Sequence, residues 1–185
     1  QQLRYRFSTK VEVSTGFNAS KDENNIGYAF SNSNPNLPII GLRDITEFTS
    51  EVNIKYNASP NVNFTARFRH YNSFVLYRSF YQTEEDGEWR NLPIDYTTAY
   101  NENFNLQNID VFFNWIFRPG SRMVVSYKQW LNDAYILNDR LENTYLQNIR
   151  QVIHSPKAYE MAVRFIYFID YSKVQKRSMR LLDKV

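Results

Sequence analysis

Residues 3–17 read LRYRFSTKVEVSTGF. Odd positions carry Leu3, Tyr5, Phe7, Thr9, Val11, Val13, Thr15 and Phe17; even ones carry Arg4, Arg6, Ser8, Lys10, Glu12, Ser14 and Gly16. Such alternation is the mark of a β-strand, whose successive side chains leave opposite faces of the pleat. The run spans 15 residues, where an ordinary strand has about 5–6.

The pattern recurs along the chain. It places Phe48, Val52, Ile54 and Tyr56 against Glu47, Glu51 and Lys55 in 46–58, and Phe64, Ala66 and Phe68 against Arg67 and Arg69 in 62–70. In 109–118 it sets Ile109, Val111, Phe113, Trp115 and Phe117 against Asp110 and Asn114, and in 122–130 Met123, Val125 and Tyr127 against Arg122 and Lys128. In 159–171 it sets Tyr159, Met161, Val163, Phe165, Tyr167, Ile169 and Tyr171 against Glu160, Arg164 and Asp170. With 3–17 and a short strand at 26–30, seven strands are expected. Composition fits. Among 185 residues, 14 Phe, 14 Tyr and 3 Trp coexist with a polar mean hydropathy of −0.57, so the aromatics must be finely segregated.

Composition also excludes classes. Without cysteine there is no disulfide framework, thiol chemistry or Cys-based zinc site. The longest apolar run is Phe165–Ile169, far short of the ~20 residues of a membrane-spanning helix. A net charge of +3 is too mild to argue for a nucleic-acid partner.

Ser59-Pro60-Asn61 and Arg118-Pro119-Gly120-Ser121 read as tight turns. The other connections, 31–44, 71–108 and 132–157, are long. The last contains a helical pattern (Leu141, Tyr145, Leu146, Ile149, Val152 and Ile153 on one face), with Thr144 and Gln147 spaced for a capping box and Pro156 as terminator. Short and long connections therefore alternate. An up-and-down antiparallel sheet would gather short turns at one end and long loops at the other, as in outer-membrane barrels.

Alternation does not say which face is outside. In a soluble lipocalin-like carrier the apolar face lines a cavity; in an outer-membrane barrel it meets lipid and the charges line the lumen. Three features favour the membrane. Strands of 13–15 residues exceed the ~9–11 needed to cross. Aromatics such as Tyr5, Tyr56, Trp115, Tyr127, Tyr159 and Tyr171 suit interfacial girdles. Mean hydropathy is polar, as a polar interior requires. The expectation is an all-β, antiparallel up-and-down transmembrane β-barrel, with a short helix in an extracellular loop. With the tight turns periplasmic, the carboxyl end is periplasmic and the first strand starts outside. Single-chain bacterial barrels have even strand numbers. Residues 1–171 are therefore expected to be the carboxyl-terminal seven strands of a larger barrel. The partners expected are outer-membrane lipid and the missing amino-terminal strands of the same protein or a companion chain.

Several strings, NVNFTARFRHY (61–71), YQTEEDGEW (81–89), NFNLQNIDVFFNWIFRPGS (103–121), VVSYKQW (124–130) and SPKAYEMAVRFIYFIDY (155–171), resemble one family. It is the carboxyl-terminal barrel of Bacteroidota outer-membrane proteins of uncharacterised function. These usually carry an amino-terminal domain similar to family-9 carbohydrate-binding modules. The resemblance implies an outer-membrane location and an envelope protein complex or glycan as partner. It supplies no catalytic residue, and glycan binding cannot be carried onto any residue here. The chain departs from the family in continuing past the last strand. Residues 172–185 form a basic periplasmic tail with Lys173, Lys176, Arg177, Arg180 and Lys184, its Val174, Leu181, Leu182 and Val185 spaced for one helical face.

The polar faces nominate lumen residues: Arg4, Arg6, Lys10, Glu12, Glu47, Glu51, Lys55, Arg67, Arg69, Asp110, Arg122, Lys128, Glu160, Arg164 and Asp170. Their mixed signs suit mutual compensation better than the single-sign ring of a selective pore. Loop aromatics Trp89, Tyr96 and Tyr100, with Phe74, Tyr77 and Tyr81 nearby, suit sugar stacking or a cap over the barrel. His70 and His154 without cysteine make no metal motif, and no catalytic spacing or cofactor signature stands out. A non-enzymatic scaffold, pore or receptor is expected. A rim enzyme using His70, Asp110 and Glu160 and a soluble lipocalin-like carrier are the alternatives.

Overall fold

A computed structural model describes residues 1–31, 38–92, 100–131, 135–136, 144–169 and 171. Its elements are β1 (Gln2–Arg6), β2 (Val11–Ser31), β3 (Pro38–Ser59), β4 (Val62–Thr83), β5 (Trp89–Leu92), β6 (Glu102–Arg118), β7 (Ser121–Leu131), β8 (Tyr135–Ile136), α1 (Tyr145–His154) and β9 (Lys157–Ile166). The strands form one antiparallel sheet in the order β1-β2-β3-β4-β6-β7-β9, with β5 added to β4 and β8 to β6. The fold is all-β with up-and-down connections. The sheet is not closed: β1 and β9 are its two free edges.

The main path has seven strands, but not the expected seven. Residues 3–17 are a hairpin, not one strand. The chain reverses at 7–10, where the Phe7 amide donates to the Val11 carbonyl at 3.0 Å and Ser8 Oγ accepts from the Lys10 and Val11 amides. Alternation survives because Leu3 pairs with Thr15 and Tyr5 with Val13. Pairing odd with odd keeps each parity on its own face. Lys10 therefore sits in a turn rather than on the strand face assigned to it. The short strand at 26–30 is the far half of β2, reached through a bulge where Asn24 takes φ 57°.

Three strands are longer than expected, whereas the last, expected over 159–171, ends at Ile166. Residues 38–45 extend β3, 71–83 extend β4 and 102–108 extend β6, all segments read as loops. Pro38 is tolerated because it is the first strand residue. The Pro60-Asn61 and Pro119-Gly120 turns are as expected; Gly120 has φ 77°, a conformation glycine adopts without penalty. Short turns at 7–10, 60–61 and 119–120 share one end of the sheet, and the longer connections share the other.

Few apolar side chains are buried: among the described residues, Ile39, Phe80, Leu131 and Val152. This is a single layer of sheet rather than two layers around a core. Phe80 packs near the long-loop end with Phe30, Tyr77 and Tyr100. Tyr77, Tyr81 and Phe74 are strand residues of β4, not loop residues.

Candidate functional site

Registry assembles the alternating residues into rows. One row crosses all seven main strands as Tyr5-Val13-Ile54-Ala66-Val111-Tyr127-Met161. The adjacent row on the other face reads Arg4-Ser14-Asn53-Arg67-Asp110-Lys128-Glu160. One face therefore carries an unbroken apolar band and the other a mixed-charge wall. Arg4, Arg6, Glu12, Glu47, Glu51, Lys55, Arg67, Arg69, Asp110, Arg122, Lys128, Glu160 and Arg164 share the charged face by registry. Asp170 and Tyr96 lie outside the described residues, as does the tail 172–185.

Charges on the wall compensate locally. Glu12 receives Arg4 at 2.8 Å, Arg6 at 3.2 Å and Lys55 at 4.0 Å. Arg69 pairs with Asp110 at 2.9 Å, while the Arg67 Nε donates to Asn53 at 2.9 Å. Arg122, Lys128, Glu160 and Arg164 form no ion pair among the described residues. Exposed pairs are screened by water and contribute little net stability, so this pattern defines a polar surface more than it stabilises the sheet.

The apolar band has an upper limit. Towards the long-loop end its last row contains Val52, Phe68 and Ile109. The next row on that same face reads Phe17, Ser50, His70 and Gln107, and the one after it Phe48, Asn72 and Asn105. Meanwhile Phe104, Leu106, Tyr71 and Val75 appear on the opposite face. On β6 the apolar phase inverts at this height, while Phe17, Phe48 and Phe74 keep aromatic rings on the band face beside the polar groups.

Helix α1 covers part of this polar zone. Its amino end has the expected capping box: Thr144 accepts from the Gln147 amide, and the Gln147 side chain accepts from the Thr144 amide at 2.7 Å. The expected apolar helix face is not buried as a unit. Val152 and Asn148 are buried and Tyr145 is half-buried, while Leu146 and Ile153 are exposed. Leu141 lies outside the described residues.

Beneath α1, polar groups interlock. Asn148 and Asn103 exchange amide hydrogen bonds at 2.9 and 3.0 Å, and the Asn72 amide donates to Asn103 Oδ1 at 2.9 Å. His70 is buried mid-strand, not at a strand end as expected. Its Nε2 lies 3.2 Å from Asn105 Oδ1 and its Nδ1 3.1 Å from the Tyr145 hydroxyl. The carbonyl only accepts, so Nε2 carries the proton, and Nδ1 faces the Tyr145 hydroxyl, which donates to Ser50 Oγ at 2.7 Å. Burial pulls the imidazole down to about 4, partly offset by the Asn105 hydrogen bond. His70 is therefore neutral at neutral pH and joins sheet to helix.

No three His, Cys, Asp or Glu side chains cluster as metal ligands among the described residues. The suggested acid–base set is not assembled: Asp110 and Glu160 share the charged face, and His70 lies on the other. Of the aromatics, Tyr100 stacks on Phe30 at 4.2 Å rather than standing free, and Trp89 on β5 is exposed, 6.2 Å from Tyr81. The asparagine cluster escaped the sequence reading because Asn-rich segments read as loops. Its signal was the period-two series Asn103, Asn105, Gln107 running in phase into Ile109 and Val111.

The model for a family described as a domain of unknown function, DUF5916, matches residues 1–178. The chain belongs to that family. No curated protein and no solved structure matches this DUF5916 chain. The uncharacterised family expected from the sequence strings agrees with this membership.

Proposed function

We propose that this DUF5916 chain is part of the wall of an outer-membrane β-barrel, a non-enzymatic scaffold, pore or receptor of the bacterial envelope. The observation carrying this reading is the apolar band of limited height. On β6 it runs from Ile109 to Phe117, nine residues, within the ~9–11 that a tilted strand needs to cross a bilayer. A wall leaving the membrane should turn its outer face polar, as this face does on β4 and β6 at His70, Asn72, Gln107 and Asn105. The lipid-facing segments are then 11–17, 52–56, 62–68, 109–117, 123–127 and 159–167. The charged face lines the lumen, and its local compensation suits a polar interior without a single-sign filter.

The edges specify what completes the wall. β1 and β9 both run towards the short-turn end. They cannot pair antiparallel with each other, so antiparallel closure takes an odd number of additional strands. These would come from the same protein or a companion chain. Exposed Trp89 at the long-loop end supports an extracellular contact, a glycan or envelope protein, as the family resemblance implies.

One feature favours a soluble carrier as second reading: α1 sits over the same face as the apolar band, where a cavity cap would sit. Solubility separates the two. The membrane reading expects the protein to resist alkaline extraction from outer membranes and to need detergent. Monodisperse behaviour without detergent would overturn it in favour of the carrier.

A further inference from the structure

Helix α1 has a third surface besides its sheet-facing and polar sides. At 100° per residue, Tyr145, Asn148 and Val152 point to the sheet, and Gln147, Arg150 and His154 point away. Leu146 and Ile153 share the flank between them, and they are 74% and 52% exposed. A flank at right angles to the sheet contact looks along the wall rather than away from it.

The apolar band also lies along that wall. Tyr145 seats the helix at the upper border of the band, its ring 5.9 Å from Phe17 and 5.2 Å from Phe48. Both phenylalanines belong to the band-side face. The exposed flank thus lies on the same side of the sheet as Tyr159, Met161 and Phe165, each more than 60% exposed. Charge points the same way: residues 144–159 include Arg150 and Lys157 and no acidic residue.

We propose that α1 is an interfacial helix: it rests on anionic lipid headgroups at the outer border of the membrane, with Leu146 and Ile153 entering the acyl boundary. The inference rests on the lipid-facing reading of the band. Apolar flank, adjoining cationic groups and absent acids are what such a helix needs.

The cysteine-free chain allows single spin labels. Leu146→Cys, Ile153→Cys, Gln147→Cys and Met161→Cys variants would be labelled in phosphatidylcholine–phosphatidylglycerol vesicles. Relaxation by oxygen, which partitions into lipid, would be compared with relaxation by a water-soluble nickel chelate. Positions 146 and 153 should show an oxygen-to-nickel ratio several-fold above position 147 and below position 161. Adding Arg150→Glu should lower the ratio at 146 in these vesicles but not in phosphatidylcholine alone. Water-like ratios at 146 and 153, with position 161 in lipid, would overturn the interfacial helix and leave the band reading intact. A water-like ratio at 161 would overturn both.

Discussion

Protonation of His70 sets a cost that falls where the helix meets the sheet. Its folded value of about 4 lies below the ordinary 6.5 because burial disfavours the imidazolium. Between those values the unfolded chain binds more protons than the folded one, so stability rises with pH. The contribution is complete above pH 6.5 and is lost as pH falls to about 4, up to about 3 kcal/mol. Amide protection factors of residues 145–154, corrected for the pH dependence of intrinsic exchange, should fall as pH is lowered through that window, and His70→Gln, which does not titrate, should remove this component of the pH dependence. Two glycines provide a second comparison. Gly120 and Gly87 have φ 77° and 86°, but a Cβ at Gly120 would meet Phe168 Cβ at 2.8 Å, whereas Gly87 has open space. Gly87→Ala should cost only the left-handed penalty, about 1–2 kcal/mol. Gly120→Ala should cost more, read as a lower unfolding midpoint.

At the scale of elements, α1 depends on its cap and its asparagines more than on apolar burial, since Val152 is its single buried apolar side chain. Thr144→Ala removes the capping box and should cost about 1 kcal/mol of helix stability. Asn148→Ala leaves Asn103 without its reciprocal partner and should cost about 1–3 kcal/mol. Exchange protection of α1 is the measurement for both, and the strand amides of β3 and β4 should be unaffected. What was legible at this scale followed from periodicity. The band segments, both Pro turns and the capping box are local patterns, and each was readable. The 7–10 reversal was not, because odd–odd pairing leaves the parity of residues 3–17 unbroken and the turn contains neither Gly nor Pro. The upper half of β6 was missed because its apolar residues change faces there, so a fixed-phase reading begins at Ile109; on β4 the pattern is interrupted by His70 and Asn72, so the reading ends near Phe68. The charged face was readable as a set. The His70–asparagine cluster was not, since it joins β4, β6 and α1 only through tertiary packing.

For the whole molecule, the consequence of an open sheet is an uneven distribution of backbone pairing. Among the described residues, β3, β4, β6 and β7 have neighbours on both sides, whereas β9 is paired only with β7 and β1 only with β2. Beyond Phe17, β2 is also paired on one side only, because β1 reaches no further than Gly16 in its register. Unpaired edge amides are templates for another strand. In the 185-residue chain in detergent, hydrogen exchange should therefore be fast at the outward amides of β1, β9 and the 18–31 half of β2. It should be slow through the paired core of β3, β4 and β6. Once the complementing strands are present, the β1, β2 and β9 amides should become protected, while β3, β4 and β6 change little. Protection at both edges without any added strand would mean that copies of the chain pair with one another, which a doubled mass in detergent would reveal. Persistent fast exchange in the complete protein would contradict closure of the wall through these edges.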